Sequence, residues 1–118
     1  MNWLMLTDEK QLAELDQLSY DVEKKGILLF KHSTICSTSS MALNRLERNW
    51  NISSEILPAY FLDLLNYRSI SAEIAAKYAI RHESPQVLII KNGKCIYTTS
   101  HSGISFDNIK NVLFNQPK

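Results

Sequence analysis

The sequence has few of the features that mark an exported, membrane-spanning or nucleic-acid-binding chain. Its apolar runs are far shorter than the roughly twenty residues that a membrane helix needs. The N-terminal segment Met1 to Leu6 carries no basic residues and no small-residue cleavage site, so no export signal is predicted. A formal net charge of +1 without a basic stripe argues against nucleic acid and membrane surfaces as partners. We therefore expect a cytoplasmic protein with small, nearly neutral partners.

Cysteine is also scarce, because the chain has only two, Cys36 and Cys95. Without an export signal, both are expected to be thiols rather than a structural disulfide, since the cytosol keeps thiols reduced. The chain also lacks any Cys-x-x-Cys or His-x-x-x-His pair that would indicate a metal site. Its three histidines stand at irregular spacings: His32, His82 and His101.

The apolar patterns that are present predict an α/β fold in a single domain, residues 1–118. Thr7 is predicted to cap the first helix, and Ser69 or Ser71 the third. Asn92-Gly93 predicts a tight hairpin turn. Strands are expected at 3–6, 27–31, 59–65, 86–91 and 94–99, with helices at about 8–19, after Cys36, after the third strand, and at about 105–115. This β-α-β-α-β-α-β-β-α order implies a mixed sheet, parallel first and antiparallel at the end, with helices on both faces.

Cys36 is the candidate nucleophile, because it lies between a buried strand and the start of an amphipathic helix. The free N–H groups and the positive dipole end of a helix stabilise an anion, so a cysteine at this point tends to be a reactive thiolate. Ser39 stands where a dithiol enzyme has its second cysteine, which gives a one-thiol Cys-x-x-Ser site. The alternative is an inert cysteine buried at the end of a strand.

Cys95 is a poor partner for Cys36 on geometric grounds. A two-residue hairpin centred on Asn92-Gly93 pairs Ile90 with Cys95, five residues along the strand from Pro85. At about 3.3 Å per residue this separation is on the order of 16 Å. A disulfide needs Cα atoms within about 7 Å. Cys95 is therefore predicted to be a strand residue at the far end of the sheet.

Several segments together resemble thioredoxin-fold proteins. Ile27 to Phe30 ends six residues before Cys36, as the corresponding strand does in thioredoxins, and Lys77 to Arg81 resembles the segment that leads to their cis-proline. A closer resemblance is to the YtxJ-like family, the monothiol bacilliredoxins of bacteria that use bacillithiol. The segments that resemble this family span nearly the whole chain: Phe30-Lys31-His32-Ser33-Thr34, Cys36, Ser39, Glu83-Ser84-Pro85-Gln86 and Thr99-Ser100-His101.

This resemblance implies a thioredoxin-like fold and a monothiol thiol-disulfide oxidoreductase. Such an enzyme would remove bacillithiol, or a similar small thiol, from S-thiolated client proteins through a mixed disulfide on Cys36. No bound cofactor is implied, and the small thiol serves as co-substrate. Ser39 would at most donate a hydrogen bond to Cys36. A cis Ser84–Pro85 bond is expected opposite the thiol. Substrate is expected to bind at Thr34, Ile35, Ser37, Ser84, Pro85, His101 and Gly103, with Gly103 permitting a close approach.

The chain departs from the family at the motif itself. The usual Thr-Cys-Pro-Ile-Ser is here Ile35-Cys36-Ser37-Thr38-Ser39. Phe30 stands where dithiol thioredoxins carry a buried acid. His32, expected in the loop before Cys36, and His101 are candidate neighbours that would favour the thiolate if protonated. Two alternatives stay open: a non-catalytic module whose Cys36 is only modified by the thiol pool, and a monothiol glutaredoxin that holds an iron–sulfur cluster. The second lacks its Cys-Gly-Phe-Ser motif.

Overall fold

A mixed five-stranded sheet forms the centre of the molecule, in the strand order β1-β3-β2-β4-β5. The computed structural model describes residues 1–114. The strands are β1 (Trp3–Met5), β2 (Ile27–His32), β3 (Ala59–Asp63), β4 (Gln86–Lys91) and β5 (Lys94–Ser100). The helices are α1 (Lys10–Leu18), α2 (Ser37–Arg48), α3 (Arg68–Tyr78) and α4 (Phe106–Phe114), and a 3₁₀ turn spans His101–Gly103. The predicted order of elements is confirmed.

Strand pairing follows the predicted pattern. β1, β3 and β2 run parallel, whereas β4 is antiparallel to β2 and β5 is antiparallel to β4. Asn92 and Gly93 both have positive φ, as the predicted tight turn requires. Since β2 and β3 are parallel and β4 runs opposite to them, the ends of β2 and β3 and the start of β4 share one edge of the sheet.

Strand β2 is buried on both faces, and its side chains alternate between two cores. Ile27 and Leu29 pack with buried residues of α1 and α3. Leu28 and Phe30 pack with buried residues of α2 and α4. The last two residues continue the alternation, so Lys31 points toward α3 and His32 toward α2.

The predicted helix caps were wrong. Helix α1 begins at Lys10, and it is the Asp8 carboxylate, rather than Thr7, that accepts the Lys10 N–H at 2.9 Å. Helix α3 begins at Arg68, ahead of both predicted serines, and its N-terminus has no side-chain cap. The pattern located each helix but not its first turn, because capping depends on backbone angles that apolar spacing does not specify.

Among the described residues, no helix is both long enough and apolar enough to cross a membrane. The last helix was predicted to reach Asn115, which lies outside the described residues.

Candidate active site

Cys36 lies at the N-terminus of α2, as the sequence predicted. Its backbone is extended (φ −107°, ψ 116°), and its carbonyl accepts the N–H groups of Ser39 and Ser40 at 3.1 and 3.2 Å. Its own N–H donates to the Ser33 carbonyl at 3.2 Å, which closes a tight turn before the helix. The thiol is free and half-buried. A partly exposed thiol at the first turn of a helix is suited to nucleophilic exchange.

Ser39 is fully buried and forms its hydrogen bonds away from solvent. Its hydroxyl accepts the Ser33 N–H at 3.1 Å and lies 2.7 Å from Nδ1 of His32. Ser39 was expected at most to donate a hydrogen bond to Cys36, and in the structure its hydroxyl contacts Ser33 and His32 instead. The hydroxyl supports the turn that carries the thiol, because it joins the end of β2 to the first turn of α2.

His32 is the last residue of β2 and is buried, so its predicted place in a loop was wrong. Burial lowers the pKa of its imidazole, although the nearby carboxylates of Asp63 and Glu47 act in the opposite direction. A neutral ring with an unprotonated Nδ1 accepts the Ser39 proton. The lowered pKa opposes the charged form that would have favoured a thiolate.

Ser84 and Pro85 are joined by a cis peptide bond, as predicted. Gln86 pairs with Lys31, which brings Pro85 to the edge of the sheet where the Cys36 turn leaves β2. The Pro85 carbonyl accepts the His101 N–H at 3.2 Å. The start of β4 is thereby joined to the 3₁₀ turn, and both segments lie at the edge that carries the thiol.

The 3₁₀ turn is held to α2 by Arg45, which sequence reasoning missed. The guanidinium donates to the carbonyls of His101 and Ile104 at 2.9 and 3.1 Å. His101 has a positive φ of 52°, which is uncommon outside glycine. Gly103 lies so close to the Thr99 side chain that a Cβ would collide with it. The close approach that Gly103 permits is therefore to its own chain, and its role toward a substrate stays a prediction.

The remaining predicted binding residues line the outer side of the Cys36 turn. Thr34, Ile35 and Ser37 are exposed, and the Ile35 side chain is 82% exposed. These three residues are accessible to a partner, and their roles in binding stay predictions.

Cys95 is free and remote from the turn that carries Cys36. It pairs with Ile90 in the β4–β5 hairpin, as the geometric argument predicted. Its thiol donates to the Tyr97 carbonyl at 3.3 Å and packs against the core under α1 and α3. Burial raises the pKa of this thiol, which makes it a weak nucleophile.

An aromatic cluster occupies the place of the buried acid found in dithiol thioredoxins. Phe30 is fully buried, and its ring centroid lies 5.8 Å from those of Trp3, His32 and Phe61. Two carboxylates lie near this cluster. Glu47 accepts the Trp3 indole N–H at 2.9 Å, whereas Asp63 pairs with His32 in the sheet register and accepts a hydrogen bond from Asn66. Its other oxygen is buried without a hydrogen-bond partner. Sequence reasoning did not identify Asp63, which lies within the predicted strand 59–65 and ends the observed β3.

Comparison with solved structures defines the class of protein. A candidate oxidoreductase with a thioredoxin fold matches with a TM-score of 0.73 at 24% identity, over 92% of this chain and 91% of that one. Malassezia sympodialis thioredoxin matches with a TM-score of 0.68 at 16% identity, over 97% and 90% of the two chains. Fasciola hepatica thioredoxin matches with a TM-score of 0.67 at 17% identity, over 96% and 98%. The fold is that of thioredoxin.

The family follows from the sequence match. Residues 5–109 match the family described as monothiol bacilliredoxin BrxC. The chain belongs to this family, and the protein is a thioredoxin-fold thiol oxidoreductase.

Proposed function

We propose that this protein removes bacillithiol, or a similar small thiol, from S-thiolated client proteins, with Cys36 as the nucleophile. The observation that carries the proposal is the single free thiol at the N-terminus of α2, followed by Ser39 in place of a second cysteine. Such a site can accept a small thiol but cannot release it with a second cysteine of its own motif.

The reaction has two exchange steps. The Cys36 thiolate attacks the small-thiol sulfur of the client disulfide, and the client cysteine leaves as a thiolate that takes up a proton. Cys36 then carries the first small thiol as a mixed disulfide. A second molecule of the small thiol, as its thiolate, attacks the sulfur of this bound small thiol. The Cys36 thiolate is regenerated, and the two small thiols leave as their disulfide, so the mixed disulfide of the client is exchanged for a disulfide of the small thiol and the client is left with a free thiol.

The residues around Cys36 support the proposal, because some hold the turn that carries the thiol and others face outward toward a client. Ser39 and His32 hold the turn from within, while Thr34, Ile35 and Ser37 face outward, where a client would dock. Pro85 and the His101 turn, joined by a backbone hydrogen bond, are proposed to border the bound disulfide. Cys95 is given no role, because its thiol packs against the core under the opposite sheet face from α2.

The test uses a bacillithiolated client protein and free bacillithiol, with release of the reduced client followed by mass spectrometry. Wild-type protein and the Cys95→Ala variant are expected to turn over many times, whereas Cys36→Ala is expected to lose turnover. Transfer that persists undiminished in Cys36→Ala contradicts the proposal. One round of Cys36 modification without further client release indicates the non-catalytic alternative instead.

A further inference from the structure

Lys31 is a fully buried lysine that the proposed reaction does not use. Only 1% of it is exposed, and its ammonium donates to the Ser71 carbonyl at 3.2 Å and lies 3.3 Å from Nδ1 of His82. Neither partner is an anion, and no carboxylate in residues 1–114 forms an ion pair with it. Burial alone lowers the pKa of this amine to about 8. A buried cation without a counter-ion costs folding free energy, and the contacts of the ammonium with Ser71 and His82 offset only part of that cost.

The partners of Lys31 form part of the wall of a cavity. The cavity holds about 290 Å³ and is lined by Leu64, Arg68, Ser71, Ala72 and His82. Leu64 and Ala72 supply apolar surface, and the other three side chains are polar or cationic. Lys31 lies immediately behind Ser71 and His82. The cavity therefore combines an apolar wall with positive charge on two sides.

Arg68 is the second basic side chain at this cavity, and like Lys31 it has no ion-pair partner among the described residues. Arg68 is exposed and forms no ion pair within residues 1–114. It is also the first residue of α3, an 11-residue helix that has no acidic residue in its first turn and no side-chain cap. The unpaired N–H groups of such a helix end favour an anion. Lys31 and Arg68 form no ion pair within residues 1–114, and the carboxylate that acts on this cavity is that of Glu83, which lies close enough to His82 to raise its pKa.

The cavity opens at the edge of the sheet that carries Cys36. The Leu64 N–H donates to the His32 carbonyl at 2.9 Å, which places the start of the cavity wall beside the end of β2. Cys36 follows His32 by four residues, so their Cα atoms lie at most about 14 Å apart. The Cys36 turn and the cavity wall therefore both adjoin the end of β2.

We propose that the cavity lined by Leu64, Arg68, Ser71, Ala72 and His82, with Lys31 behind it, binds a carboxylate of the disulfide substrate. The inference rests on the proposed thiol transfer and names the substrate class that the site favours. The carboxylate is carried either by the small thiol or by the client beside its cysteine. Arg68 and the N-terminus of α3 contact it, Leu64 and Ala72 pack against its methylene groups, and Lys31 supplies charge from behind.

The test compares three disulfides of a neutral peptide that contains one cysteine. In the first, the peptide is coupled to 6-mercaptohexanoic acid, and in the second to its methyl ester, which differs only in the charge. In the third, a glutamate stands beside the peptide cysteine, and the methyl ester is the small thiol. The rate of thiol transfer to Cys36 is measured for wild-type protein, Arg68→Gln and the control Arg48→Gln, which removes an exposed arginine at the end of α2.

We expect Arg68→Gln to reduce the preference for an acidic probe over the neutral ester by about tenfold, as loss of a charge-assisted hydrogen bond does. Arg48→Gln is expected to leave that preference unchanged. Loss with the first probe assigns the carboxylate to the small thiol, and loss with the third assigns it to the client. Equal rates for all probes in wild-type protein, or an equal effect of both variants, overturn the proposal.

A second measurement does not depend on turnover. Cys36 is loaded chemically with 6-mercaptohexanoic acid or with its methyl ester, and the pKa of Lys31 is followed by NMR of the labelled amine. The acid is expected to raise this pKa by about one unit relative to the ester, because a nearby anion favours the ammonium. An identical pKa in the two adducts contradicts the binding site. Failure of all three probes to transfer to Cys36 in wild-type protein would instead contradict the thiol-transfer function itself.

Discussion

Lys31 and His32 are neighbours on β2, yet their side chains meet different polar groups on the two faces of the sheet. His32 points toward α2, where its ring is bonded to Ser39 and Asp63 lies close enough to act on its pKa. Lys31 points toward α3, where its ammonium meets a carbonyl and an imidazole but no carboxylate. The α2 face is built to hold the turn of the nucleophile. The α3 face keeps a buried charge without an ion-pair partner, which agrees with the binding role proposed for it.

The largest expected effect in stability comes from removing the charge on the α3 face. Lys31→Met keeps the length of the side chain and removes the buried ammonium, so we expect it to raise the free energy of unfolding by roughly 2 to 3 kcal/mol near pH 7. Urea denaturation measures this change. Lys94→Met, at an exposed position on β5, is the control and should change stability little.

The stability advantage of Lys31→Met over the wild-type protein is expected to depend on pH. The native pKa of Lys31, about 8, is below its ordinary value of 10.5, so the native state binds fewer protons than the unfolded state between these values. Wild-type stability therefore rises with pH across this window. The advantage of Lys31→Met should be complete below about pH 8 and shrink as the pH approaches 10.5. An advantage that is constant over this range would show that the charge is not its source. The stabilised protein should also lose its preference for acidic substrates.

A smaller effect is expected on the α2 face, with the opposite sign. Ser39→Ala leaves the buried Ser33 N–H without its acceptor and His32 Nδ1 without its donor, so it should destabilise the protein by about 2 kcal/mol. Ser40→Ala, exposed on the same helix, is the matched control. We also expect slower thiol transfer in Ser39→Ala, because the turn that carries Cys36 is less well held. Equal stability of the two variants would contradict a supporting role for Ser39.

The titration of His32 should also make the stability of the protein depend on pH. Burial lowers the pKa of His32, so the unfolded chain takes up a proton as the pH falls below 6.5 while the native state resists it. Stability should therefore fall with decreasing pH. The exposed His82 also has a lowered pKa, because of partial desolvation and its proximity to Lys31, although Glu83 acts in the opposite direction, so it contributes with the same sign but less. Urea denaturation at several pH values should show a dependence that persists in His82→Gln and weakens in His32→Gln.

The sequence was sufficient for the elements and for the place of the thiol, because these depend on local patterns. The apolar run of β2, the Asn92-Gly93 turn and the helix after Cys36 each carry their signal within a short segment. The contacts of Ser39, Arg45 and Lys31 join positions up to 59 residues apart, and no local pattern encodes them. Lys31 did give a signal, since a lysine inside a buried strand requires a partner, but the sequence could not identify which partner.

The smallest expected effect on stability comes from comparing one serine on each face of the sheet. Ser71 and Ser39 both place a hydroxyl near a histidine Nδ1, at 3.3 and 2.7 Å. The ring beside Ser71 belongs to the exposed His82, which water can reach, and Lys31 bonds the Ser71 carbonyl rather than its hydroxyl. Ser71 is itself buried, but its hydroxyl makes only this long contact, so Ser71→Ala should change the free energy of unfolding by about 0.5 kcal/mol, the low end for one hydrogen bond. A loss as large as that of Ser39→Ala would mean that the α3 face is also a structural support, and the distinction between the faces would not hold.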